Sequence, residues 1–148
     1  MSQTTPEALP PGTAEDLLRR AREVRAHAYA PYSGFTVGAA LLAEDGRVFT
    51  GVNVENASYG LTNCAERVAV GKAVSEGARR FRAVAVVGPE DDQPCAPCGA
   101  CRQVLHEFGP ALLVLTPDGR GGVRAATAAD LLPGAFQESR LPPKEPRG

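Results

Sequence analysis

Two short cysteine-bearing segments set the strongest constraint on what this chain can fold into. The first reads T-N-C-A-E-R over residues 62–67, and the second, about thirty residues later, reads P-C-G-A-C-R-Q over residues 97–103. Cys98 and Cys101 are three positions apart, so in the first turn of a helix their sulfurs lie on one face and can share a metal ion. Cys64 offers a third thiolate, which requires two distant segments to meet at one point. Glu66 sharpens the requirement. In a regular helix Cys64 and Glu66 would point about 200° apart, so both converge on one metal only if the helix meets it end-on. The geometry expected is a zinc ion held between two helix N-termini.

The donor set implies chemistry as well as shape. A structural zinc normally has four protein ligands, whereas a catalytic zinc has three and leaves the fourth position to water. Cys64, Cys98 and Cys101 make three, and Glu66 is a carboxylate suited to handling the protons of that water. Three thiolates with Zn²⁺ sum to −1, which weakens the metal's power to acidify water unless positive charge offsets it. Helix N-termini contribute partial positive charge, and Arg67 is placed to donate hydrogen bonds to a cysteine sulfur. Two other readings stand beside this one. C-G-A-C superficially resembles a thioredoxin-type dithiol, against which count the upstream Cys64 and Glu66 and the lack of an aromatic residue before Cys98. A catalytically silent, zinc-stabilised binding module is the other, and Glu66 speaks against it. Cys95 forms a C-A-P-C pair with Cys98, but Pro97 suits a loop, and Cys95 is read as a spare thiol. His27 and His106 lack ligand-like company and are read as surface or half-buried residues.

Composition narrows the class. At 148 residues and 15.5 kDa the chain suits one core, and 43% hydrophobic with 22% charged residues describes a soluble globular protein. A net charge of −1 and scattered arginines offer no general attraction to a phosphate backbone, which argues against nucleic acid as a partner. The start of the sequence lacks the pattern of a signal peptide, and no apolar run approaches the roughly 20 residues that span a bilayer. A cytoplasmic protein is expected, in which clustered cysteines point to metal or redox chemistry instead of disulfides.

Residues 1–12 and 138–148 are rich in proline and are expected to be flexible tails around a single domain over 13–137. Thr13 is a plausible N-cap for a helix carrying Leu17, Leu18, Ala21, Val24 and Ala28 until Pro31. Residues 37–43 and 47–53 read as a hairpin with Gly46 at its tip. A helix from Asn63 to about Glu76 ends at Gly77. The run 83–88 reads as a strand buried on both faces, and a Pro-rich loop then delivers Cys98 to a third helix ending near Phe108. Strands over 111–116 and 123–126 and a helix from Thr127 to Leu132 follow. This alternation predicts an α/β layered sandwich with a mixed sheet.

The motifs around Cys64 and Cys98 resemble those of the small, nucleoside-acting cytidine deaminases. The likeness extends from about Tyr29 to Phe136 through A-P-Y-S-G-F (30–35), G-A-A-L-L (38–42), N-V-E-N-A-S-Y (53–59) and L-L-P-G-A-F (131–136). It implies a three-layer α/β/α sandwich on a five-stranded mixed sheet, one Zn²⁺ per subunit, and hydrolytic deamination of cytidine and deoxycytidine in pyrimidine salvage. In that chemistry Glu66 deprotonates the water that attacks C4 of cytosine, then passes protons to ring N3 and to the departing ammonia. Cysteine instead of histidine as first ligand sets free-nucleoside enzymes apart from those acting on nucleotides or polynucleotides. The resemblance also implies substrate contacts at Phe35, Asn53, Glu55, Tyr59, Ala65 and Phe136, and a homotetramer in which Phe136 reaches a neighbour's site. Judged on the residues alone, Asn53 and Glu55 read as turn residues, Phe35 as core and Phe136 as an anchor for the tail. A deaminase of a modified cytosine nucleoside is the alternative within the family. Cys95 departs from the family pattern, where that loop more often carries an unreactive residue.

Overall fold

The computed structural model describes residues 8–138 and 141–143; the parts of the expected tails at 1–7, 139–140 and 144–148 lie outside the described residues. The chain runs α1 (Thr13–Val24), β1 (Gly38–Ala43), β2 (Val48–Val52), α2 (Ala65–Ser75), β3 (Phe81–Val87), α3 (Gly99–Glu107), β4 (Leu113–Pro117), β5 (Val123–Thr127) and α4 (Ala128–Leu131). Five strands form one sheet in the order β2-β1-β3-β4-β5. β1 is antiparallel to both β2 and β3, β3 is parallel to β4, and β4 is antiparallel to β5, so the sheet is mixed.

Alternation along the central strands divides the core into two layers. Ala40, Leu42, Ala83, Ala85, Val87, Leu113 and Leu115 pack with Leu17, Leu18 and Ala21 of α1 on one face. Ala39, Leu41, Val84, Val86 and Val114 pack with Ala65, Ala69, Val70 and Ala73 of α2 and with Leu105 of α3 on the other. The result is a three-layer α/β/α sandwich. α2 lies close against β2: a Cβ on Gly51 would stand 2.6 Å from the Ala69 amide nitrogen, so only glycine permits this approach.

Thr13 does not cap α1. Pro10, Pro11 and Gly12 form a turn closed by the Thr13 amide on the Pro10 carbonyl at 3.1 Å, with Gly12 at φ 81° and ψ −9°. Those angles are the third position of a type II turn, which glycine after proline favours, and they leave Thr13 as the first helical residue. The same turn folds the chain back so that Leu9 is 6% exposed within the α1 layer. Residues 8–12 are therefore not all tail, and the core reaches back to Leu9. His106, expected at or near the surface, is buried in α3. The helix expected from Thr127 to Leu132 is α4, which Thr127 caps: its side chain accepts from the Asp130 amide, and the Asp130 carboxylate accepts from the Thr127 amide.

Candidate active site

Both cysteine segments reach the site as helix starts. Cys64 is the N-cap of α2 and Cys98 the N-cap of α3, each with extended backbone angles (φ −74°, ψ 154° and φ −66°, ψ 168°). Cys64 thus precedes the helix, which frees its side chain from the helical step relating it to Glu66 and lets both face one point. The sulfurs of Cys64 and Cys98 are 3.8 Å apart, and those of Cys64, Cys98 and Cys101 all lie within 4.8 Å of one another. Ligands set tetrahedrally at about 2.3 Å from zinc stand about 3.8 Å apart, so the sulfur spacing fits that ion.

The electrostatics are those of a site built for a cation. Burial pushes the Cys101 thiol up, and the negative charge of Glu66 pushes it further. Burial also raises Cys98, but hydrogen bonds from the Cys101 amide and from the Cys101 and Cys64 thiols outweigh it and hold Cys98 below the ordinary thiol value. A fully buried cysteine beside a carboxylate gives up its proton only where a positive charge replaces it. Glu66 is 4% exposed, and burial raises its carboxyl above the ordinary range despite hydrogen bonds from its own amide and from Cys101. Arg67 Nη2 lies 3.4 Å from Cys64 Sγ and 3.3 Å from the Thr62 carbonyl oxygen.

A cavity of about 180 Å³ opens beside the sulfurs, lined by Phe35, Asn53, Thr62, Ala65, Glu66 and Cys95 together with Cys64 and Cys98. The fold therefore gathers Phe35, Asn53, Ala65 and Glu66 around one space. Asn53 is buried, with Nδ2 donating to the Phe35 carbonyl at 2.7 Å and Oδ1 accepting from the Val37 amide at 3.0 Å. Glu55 stands outside the cavity wall, its carboxylate turned onto Tyr32 and Ser33. Tyr59, 74% exposed, packs edge-on against Tyr32, with ring centres 5.7 Å apart. Phe136, 58% exposed, lines a separate groove with Gln103 and Phe108, and its carbonyl accepts from Gln103 Nε2 at 3.0 Å.

Sequence reasoning missed three features of the site. Cys95 is part of the cavity wall, and burial followed by the Glu66 charge raises its thiol. Thr62 is part of the same wall, and its place two residues before Cys64 was the available signal. Arg102, in the P-C-G-A-C-R-Q run, donates to the Pro97 carbonyl at 2.8 Å and the Leu131 carbonyl at 2.9 Å, tying the Cys98 loop to the end of α4.

A mixed sheet covered on both faces, with three thiols and a buried carboxylate collected at two helix starts, defines the class as a zinc-binding α/β deaminase domain. The family model of the cytidine and deoxycytidylate deaminase zinc-binding region matches residues 11–116, and the chain belongs to that family. The cytidine deaminase of Sporosarcina psychrophila is 50% identical over 128 residues, covering 86% of this chain and 93% of the relative. That of Halalkalibacterium halodurans is 54% identical over 121 residues, covering 81% and 91%. Among solved structures, the cytidine deaminase of Burkholderia pseudomallei superposes with a TM-score of 0.78 at 55% identity, covering 84% of this chain and 99% of that one.

Proposed function

We propose that this chain hydrolyses cytidine and deoxycytidine to uridine and deoxyuridine with release of ammonia, as an enzyme of pyrimidine salvage. The observation that carries the reading is Glu66, a buried carboxylate lining a cavity that two of the three clustered thiols also line. Among the described residues no Lys or Arg lines that cavity, which supports a nucleoside over a phosphorylated substrate. Cys64, Cys98 and Cys101 would hold one Zn²⁺ per subunit. Zinc supplies Lewis acidity there, lowering the pKa of water to near neutrality when bound.

The chain's own residues carry the remaining work. Glu66 would take a proton from the attacking water and deliver it to ring N3 of the cytosine, then take the proton left on the added hydroxyl and pass it to the amino group, which departs as ammonia as the C4 carbonyl forms. Burial favours its protonated form, which suits a group that must hold a proton between two transfers. Arg67, against Cys64 Sγ, would draw negative charge from the sulfur and so restore acidity to the water. Phe35 would pack on the pyrimidine, while Ala65, with no side chain beyond Cβ, leaves room for its edge beside Glu66. Asn53 and Glu55 would bind the sugar, with Tyr59 at the mouth.

A homotetramer follows from the same reading. At about 180 Å³ the cavity is smaller than the roughly 300 Å³ at which ligand pockets begin, so one chain encloses a nucleoside incompletely. Phe136, exposed and turned from its own cavity, would complete a neighbour's. Clustered cysteines kept free of disulfides are usual in a reducing compartment, which fits the cytoplasm. The test is conversion of cytidine to uridine by purified protein, with zinc counted per chain. Turnover with about one zinc per chain supports the reading; bound zinc without turnover of either nucleoside sinks the substrate and leaves modified cytosine nucleosides to be tried.

A further inference from the structure

The A-P-Y-S-G-F segment contributes more than Phe35. Ser33 sits between the two residues assigned to sugar and base: its Oγ accepts from the Phe35 amide at 3.0 Å and donates to Glu55 Oε2 at 2.5 Å. The hydroxyl has one proton, and a carboxylate can only accept it, so the direction of that bond is fixed. Glu55 Oε1 accepts from the Tyr32 amide at 2.9 Å and the Ser33 amide at 3.1 Å. A carboxylate has about four acceptor places. Three are filled by these donors, and the one left on Oε2 can take only another donor. The Ser33 hydroxyl, first among these contacts, also holds the Glu55 carboxyl below its ordinary pKa even though desolvation opposes it.

We propose that Ser33 is a positioning residue: its hydroxyl aims the Glu55 carboxylate at one hydroxyl of the sugar and couples that grip to the backbone carrying Phe35. This rests on the sugar-binding reading of Glu55. Loss of the hydroxyl need not unfold the segment, because Asn53 holds residues 35 and 37 independently from the buried side. Ser33 is exposed, so the freed Phe35 amide can turn to water.

The experiment compares Ser33→Ala, Ser33→Thr and Glu55→Gln on cytidine and on its 2′-, 3′- and 5′-deoxy analogues, reading KM and kcat separately and the inhibition constant where turnover is slow. A hydrogen bond to a charged group is strong enough that Ser33→Ala should raise KM for cytidine about tenfold while kcat stays within about threefold. The rise should vanish on the same single analogue on which the Glu55→Gln penalty vanishes, and Ser33→Thr, which keeps a hydroxyl, should restore KM. An equal rise on every analogue, or a fall confined to kcat, overturns the proposal, because a merely loosened loop would behave that way. A KM rise in Glu55→Gln with none in Ser33→Ala overturns the role of Ser33 alone. No KM change in Glu55→Gln on any substrate removes the sugar-binding reading, and the role of Ser33 with it.

Discussion

The sulfur corner and the aromatic rim of this molecule are finished to different degrees. At the corner Cys101 and Ala65 are fully buried, Glu66 is 4% exposed, and every functional side chain comes from the first turn of α2 or α3 or its cap. At the rim Tyr32, Phe35 and Tyr59 are each about half exposed or more, and so is Phe136 in its separate groove. A folded chain rarely leaves so many large apolar groups in water unless another surface covers them. The corner is thus complete within one chain, whereas the rim is left open by it, as the proposed oligomer requires. Reactive geometry is held by helix starts, and on the proposed reading enclosure of the substrate is left to assembly.

The harshest test of that contrast removes the metal. Cys101→Ala, or a chelator acting on the parent protein, should abolish turnover and lower the thermal midpoint, because α2 and α3 lose the ion that joins their starts and Cys101 is wholly buried. Unchanged melting after metal loss would show that the corner is held by packing alone. Glu66→Ala comes next: if the carboxylate moves protons and is no ligand, as proposed, activity should fall about a thousandfold or more while zinc content stays at the parent value. Loss of zinc in that variant would assign Glu66 to the metal instead.

Phe136→Ala should weaken cytidine binding by tens of fold, on the order of the roughly 1–3 kcal/mol found for aromatic stacking on a base. Reassembling Phe136→Ala chains with Glu66→Ala chains should then recover part of the lost activity, because some mixed sites pair an intact corner with an intact rim. No recovery in verified mixed oligomers would mean that each chain completes its own pocket. Arg67→Ala should lower kcat by about ten- to a hundredfold with a smaller effect on stability, in the range seen when partners of metal ligands are removed; unchanged turnover would refute its role at Cys64. The smallest effect is expected at Cys95. Cys95→Ser keeps the volume of the cavity wall and should leave kcat/KM within about threefold, whereas loss of zinc would make Cys95 part of the metal set.

Much of the corner was legible in the sequence because its residues are neighbours along the chain. The spacing of Cys98 and Cys101 and of Cys64 and Glu66 is local, and helix periodicity converts such spacing into direction. Even so, what lets Cys64 and Glu66 face one point is the extended backbone of the cap residue, which periodicity does not contain. The misreadings were local competitions: a Pro-Gly turn displaced Thr13 from the cap of α1 and brought Leu9 into the core.

The cavity wall was far less legible. Phe35, Asn53 and Cys95 meet at the thiols because β1 lies between β2 and β3, so segments flanking three different strands open at the same end of the sheet. Nothing in the spacing of those residues records that order. By itself the sequence determined the donor set, the family and the layered alternation of helix and strand, since each is written in short motifs whose residues lie within a turn or two of one another, even where two such motifs stand far apart. Only the tertiary structure decided that Cys95 forms wall and that Asn53 holds residues 35–37. It also turned Glu55 onto Ser33 and set Phe136 apart from its own pocket. Those outcomes depend on contacts across the sheet and between loops, where distance in space is set by strand order and packing instead of by position in the chain.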